Sequence, residues 1–173
     1  MKHDTNVPRA ASASGTAVSI PIKKWGENAV DDHSTIGHVV DEMYAMISGP
    51  AGPRDWTRQK KIFHPQARQI RMTVDEQGAP KSKIMSLAEY EQDVAPIFEK
   101  LAFFELEKKR RIDIMGSMAH VWSLYEARRD PADPIPERRG INSIQLMKES
   151  DGSWRIISMI WDNEREGVVA APF

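Results

Sequence analysis

The strongest constraint in the chain is local. Asp151-Gly152 lies between two alternating apolar runs, near 139–149 and 153–163. That dipeptide closes two-residue β-hairpins, because both central turn positions take positive φ. Such a turn sets Ser150 opposite Ser153, Leu146 opposite Ile157, Ile144 opposite Met159 and Asn142 opposite Trp161. One face of the hairpin then holds Asn142, Ile144, Leu146, Ile157, Met159 and Trp161. The other holds Ser143, Gln145, Met147, Trp154, Ile156, Ser158 and Ile160. Both faces are apolar, whereas a sheet with one wet face alternates cleanly. Helices can cover one face, and a second copy of the chain is the expected cover for the other. The expectation is a homodimer through the outer sheet face, with the N-terminal arm (Val18, Ile20, Ile22, Trp25) as the rival cover.

Upstream the period is helical. Ile36, Val39, Val40, Met43, Tyr44 and Ile47 form one stripe over about 32–47, with Asp31 or Asp32 as cap and Gly49-Pro50 as stop. A short second helix is expected over about 54–63, ended by His64-Pro65, and then a strand over 67–74 closed by a turn at Asp75 to Gly78. Ser86 and Glu89 have the spacing of a capping box, and Met85 and Tyr90 that of a hydrophobic staple, so a third helix starts there. Pro96 lies inside its stripe and predicts a kink or a shifted boundary. Strands follow near 103–112 and 117–128, and a Pro-rich loop over 129–138 leads into the hairpin. The division expected is an arm over 1–30, one domain over 31–166 and a tail over 167–173.

Composition removes several function classes. The 173 residues include no cysteine, which excludes disulfides, thiolate metal sites and thiol catalysis. A net charge of −1 supplies no field for nucleic acid or an acidic membrane surface. The run Lys108 to Arg111 follows Glu105 and Glu107 and reads as a solvated strand edge. No apolar run nears the roughly 18 residues of a membrane span, and the N-terminus lacks a signal-peptide core, so a cytoplasmic protein is expected. His33 and His38 are five apart, off the spacing of helical metal ligands, so no metal and no cofactor is expected.

The order helix, helix, strand, helix, then four long strands resembles the nuclear transport factor 2-like superfamily. Phe63-His64-Pro65-Gln66-Ala67 is similar to that group's helix-to-strand junction. Gly140 to Leu146 followed by Asp151 to Met159 is similar to its closing hairpin. The resemblance spans about residues 30–165. It implies an α+β fold, a curved antiparallel sheet wrapped around three N-terminal helices as a cone with a pocket. Ketosteroid isomerases, scytalone dehydratases, polyketide cyclases and non-enzymatic association domains share that fold. Alignment on Asp151-Gly152 puts the isomerases' pocket tryptophan on Trp161 and sends Met159, Ile157, Ile144 and Asn142 to the pocket. It also sends Met118, His120, Trp122 and Leu124 inward. The isomerase base falls in Ile70-Arg71-Met72 and its buried acid on Ile144, so that mechanism is not expected.

The candidate catalytic pair is therefore His120 and Tyr44, with Trp122, Asn142, Ile144, Ile157, Met159 and Trp161 lining the pocket. A pocket histidine can exchange protons near neutral pH, or can be a bonded structural residue. Asn142 can orient a ligand carbonyl or satisfy backbone groups. Trp122 and Trp161 can stack on a flat ligand or pack the core. Tyr44 reads as a core residue with a bonded hydroxyl, and His64 as structural. The function expected is a pocket for a hydrophobic small molecule, as a cofactor-independent lyase, isomerase or cyclase. The alternative is a non-catalytic module that binds a hydrophobic ligand or self-associates.

Overall fold

A computed structural model of the chain describes residues 29–171 and residue 173, so the arm and its apolar residues lie outside the described part. Helix α1, Ala29–Ile47, buries Ile36, Val40, Met43 and Tyr44 on the expected stripe. It begins before Asp32, whose carboxylate accepts instead from Trp154 Nε1 at 3.0 Å and Lys148 Nζ at 2.7 Å. At the other end Arg54 donates to the carbonyls of Ile47, Gly49, Pro50 and Gly52, so one guanidinium satisfies the end of α1 and the loop after it. A single 3-10 turn, Trp56–Arg58, runs into the short α2, Gln59–Ile62.

Strand β1, Phe63–Val74, begins directly at Phe63, and β2, Pro80–Met85, returns against it. β2 carries no strand signal in the sequence, because five of its six residues are exposed and show no alternation. Helix α3, Leu87–Lys100, starts at Ser86 with both arms of the capping box made, and it runs on through Pro96. Then come β3 (Phe104–Met115), β4 (Met118–Arg128), β5 (Arg138–Lys148) and β6 (Trp154–Asn163). The six strands form one sheet in the order β2-β1-β6-β5-β4-β3. It is mixed, because β1 and β6 run parallel while every other pair is antiparallel. The fold is α+β, as expected. Among the described residues no helix is long and apolar enough to cross a membrane.

The hairpin turn differs from the two-residue form. Gly152 N donates to Glu149 O at 2.9 Å and Glu149 N to Ser153 O at 2.8 Å, which closes a three-residue loop. Only Gly152 has positive φ, 85°, and Asp151 bonds back to Ser153 through its carboxylate. The longer loop slips the register by one, so Leu146 faces Ile156 and Lys148 faces Trp154. A bulge beyond Leu146 then slips it back, and Ile144 faces Met159 and Asn142 faces Trp161 as expected. The correction falls on the residues between turn and bulge. Trp154 and Ile156, expected on the outer face, are 1% and 0% exposed in the core. Ile157, expected to face the pocket, is the extra residue of the bulge, half-buried and not on the cavity wall.

Pairing across the sheet places inward residues in rows that grade from apolar to polar. The row Ile112, Val121, Ile144, Met159, Gln69, Met85 is largely apolar. The next, Arg110, Ser123, Asn142, Trp161, Arg71, is mostly polar. Beyond it lie Glu107, Tyr125, Gly140 and Asn163, and then Glu105, Ala127 and Arg138. Gly140 is required where it sits, because a Cβ there would lie 2.5 Å from both Tyr125 Oη and Asp162 O. Gly140→Ala is predicted to lower stability by about 1–3 kcal/mol, measured by thermal or urea unfolding. Unchanged stability would contradict the packing of Tyr125 across β5.

Candidate functional site

The polar end of the inner face encloses a cavity of about 300 Å³, the lower end of the range for small-molecule sites. Its apolar wall comes from α1 (Met43, Met46, Ile47), α3 (Val94, Ile97, Phe98) and the strands (Phe63, Met159, Trp161). The polar groups on its wall are Gln69, Arg71, Thr73, Tyr90, Glu105, Tyr125, Arg129, Arg138, Asn142 and Asn163. Tyr90 meets Trp161 edge to face at 6.1 Å, and Arg71 lies 5.6 Å from the Trp161 ring centre. Asn142, Met159 and Trp161 lie on the cavity wall. Ile144 is fully buried on the same face but does not reach the cavity wall.

Tyr44 acts at one remove. The Glu107 carboxylate accepts from Ser123 Oγ, which accepts from Tyr44 Oη at 2.6 Å, which accepts from Asn142 Nδ2 at 2.9 Å. A carboxylate only accepts, so it fixes the direction of every proton along this chain. Glu107 is itself held by Arg110, which also reaches Asp41 and the Gly37 carbonyl of α1. Burial pushes the Tyr44 phenol well above its ordinary pKa, so it remains a donor and does not ionise. Its consequence for the cavity is the fixed orientation of the Asn142 amide.

His120 and Trp122 are on the opposite face, which corrects the inward expectation. Ala119, Val121, Ser123 and Tyr125 are the inward, buried residues of β4, and His120 alternates away from them. His120 Nε2 is 2.9 Å from Ser143 Oγ, its ring meets Trp122 at 4.8 Å, and burial lowers its pKa. Leu124 and Met118 go outward with it. His64 accepts from Gln66 N through Nδ1 and lies 4.0 Å from Glu149, a local structural role.

The residue the sequence reading missed is Glu105. Its backbone is pinned at the start of β3 by Ser48 Oγ, which accepts from Glu105 N at 3.0 Å. Its side chain points inward to the cavity and makes no hydrogen bond among the described residues. Burial pushes its carboxyl up to about 8, with the Arg138 charge opposing the shift. By surface area the residue is half-buried, so the shift raises its proton affinity toward neutral pH while the carboxyl keeps some contact with solvent. Alternation over 103–107 puts Phe104 and Leu106 on one face and Glu105 with Glu107 on the other, so the local pattern gives no inward signal for Glu105, and the basic run beside it reads as an edge. Among the described residues no cluster of metal-ligating side chains occurs.

No family model matches the chain, and no curated protein matches it. Solved structures do. A nuclear transport factor 2-like superfamily protein from Salmonella enterica superposes with TM-score 0.58 at 16% identity, over 86% of this chain and all (100%) of that one. A protein of unknown function with a cystatin-like fold from Nostoc punctiforme gives 0.58 at 13%, over 77% and 91%. A protein named only provisionally as a ketosteroid isomerase, from Shewanella frigidimarina, gives 0.51 at 20%, over 74% and 94%. At these identities the likeness is one of architecture: the chain has the cystatin-like fold of the nuclear transport factor 2-like proteins.

Proposed function

We propose that the chain binds a small hydrophobic molecule in the cavity and moves a proton on it with Glu105, as a cofactor-independent isomerase or lyase does. The observation that carries this reading is a lone, half-buried carboxyl that makes no side-chain hydrogen bond among the described residues and faces a cavity walled by both apolar and polar groups, with burial raising its pKa. A general acid or base works best with a pKa near the working pH. The oriented Asn142 amide and the Tyr125 hydroxyl, which donates to Asn163 at 2.8 Å, add fixed dipoles on the same wall. The likeness to a provisionally named isomerase agrees with this class of chemistry. His120 has no part in it, and Tyr44 acts by positioning Asn142. The alternative remains a module that binds a ligand without reaction.

We also propose a homodimer through the outer sheet face, keeping Ile160 from the surface the sequence suggests but otherwise on different residues. Trp154 and Ile156 serve the core, but the outward row Trp122, Ser143, Ile160, Ile70, Ile84 is apolar at four of five positions. Ile84 is 62% exposed at its end. Sedimentation at micromolar concentration should give a dimer, and Ile160→Glu with Ile84→Glu should give monomers. A wild-type monomer at that concentration would contradict the pairing.

Two measurements test the role of Glu105. The folded-state pKa, about 8, lies above the ordinary 4.5, so the folded state holds the proton more tightly. Wild type should match Glu105→Gln in stability below about pH 4.5 and fall behind it progressively up to about pH 8. Parallel stability curves would contradict the shift. In heavy water, wild type should exchange deuterium into the carbon next to the carbonyl of small hydrophobic ketones, and Glu105→Gln should slow this about a hundredfold or more. Equal rates for both proteins would leave only the binding module.

A further inference from the structure

The charges around the cavity are unbalanced in one direction. Three arginines, Arg71, Arg129 and Arg138, lie on its wall. Among the described residues Glu105 is the one carboxyl there, and burial favours its neutral form. The two carboxylates nearby are each shared by two cations. Asp93 takes both Arg71, at 2.7 Å, and Lys83. Glu137 takes Arg129 at 2.9 Å and lies 4.0 Å from Arg138. Arg71 is further committed to the Trp161 face, and Arg129 to the Ala102 carbonyl at 3.0 Å. Arg138 makes no hydrogen bond to any described residue, and 4.0 Å is the limit of an ion pair. The Arg138 side chain is 47% exposed at the cavity rim, and a guanidinium with free donors beside an apolar wall matches a planar carboxylate better than any neutral group.

We propose that the ligand is an amphipathic carboxylate, its acidic head held at the rim by Arg138 and Arg129 and its apolar body lying against Met46, Phe98, Met159 and Trp161. This deepens the reading of the cavity as a ligand site and rests on it. Ala127 separates Glu105 from Arg138 in one sheet row, so the anchored head lies beside the group that exchanges protons. A neutral Glu105 can itself donate to that head, whereas an ionised one would repel it. The cavity volume limits the body to a short chain or a single ring system.

Octanoate, octanol and octylamine share one apolar chain and differ in head charge. Calorimetric titration of the full chain at pH 7 and low salt should rank octanoate first, about tenfold tighter than octanol, with octylamine weakest. Arg138→Gln, which removes no hydrogen bond of the fold, should bring octanoate to the level of octanol and leave octanol unchanged. Added salt should weaken octanoate alone. Octanol binding as tightly as octanoate, or octanoate binding unaffected by Arg138→Gln, would overturn the inference while leaving the cavity as a ligand site. Binding of none of the three would overturn both.

Discussion

The structure depends on how α1 is fastened along the inner face of the sheet. Four polar attachments do this at successive points of the helix. Asp32 takes Trp154 and Lys148, Arg110 takes Asp41 and the Gly37 carbonyl, Tyr44 takes Ser123 and Asn142, and Ser48 takes the backbone of Glu105. Between them the apolar stripe of α1 supplies most of the burial energy, at about 25 cal/mol per Å². That energy is indifferent to rotation or translation of the helix by a fraction of a turn. The polar attachments are directional, so they fix its setting, and two of the four end at groups that face or frame the cavity.

The gradation of the inner rows explains where the cavity lies. Val121, Ile144, Leu146 and Ile156 pack tightly against the helices and leave nothing open. Toward Glu105 and Arg138 the rows carry groups that need partners, and the helices offer few. A carboxyl held without a hydrogen bond opposes stability once it ionises. No side-chain hydrogen bond among the described residues holds Glu105 in place, which fits the proton-moving role proposed for it.

Much of this was legible from the residues, unevenly. The third helix could be placed to the residue because Ser86 and Glu89 satisfy each other locally, with no help from the rest of the chain. The pairs Ile144–Met159 and Asn142–Trp161 came out right because two one-residue slips cancel, the longer turn and the bulge at Ile157. Between the slips the same reasoning failed, and it sent Trp154 and Ile156 outward. Strand β4 was reversed for a different reason. Both of its faces carry apolar residues, Val121 and Tyr125 on one and Trp122 and Leu124 on the other, so periodicity cannot choose between them. The phase is set by long-range partners, Ser123 with Tyr44 and Tyr125 with Gly140, which no local pattern reveals. Glu105 was hidden by its neighbours, since an acid beside Lys108 to Arg111 reads as one more solvated charge.

The central claim is that Glu105 is a half-buried carboxyl on the cavity wall whose pKa is raised toward neutral pH. The direct measurement is a carbon-detected NMR titration of its side-chain carboxyl in the folded protein, assigned by the signal lost in Glu105→Gln. The account predicts a midpoint near 8, and a midpoint near the ordinary 4.5 would contradict it.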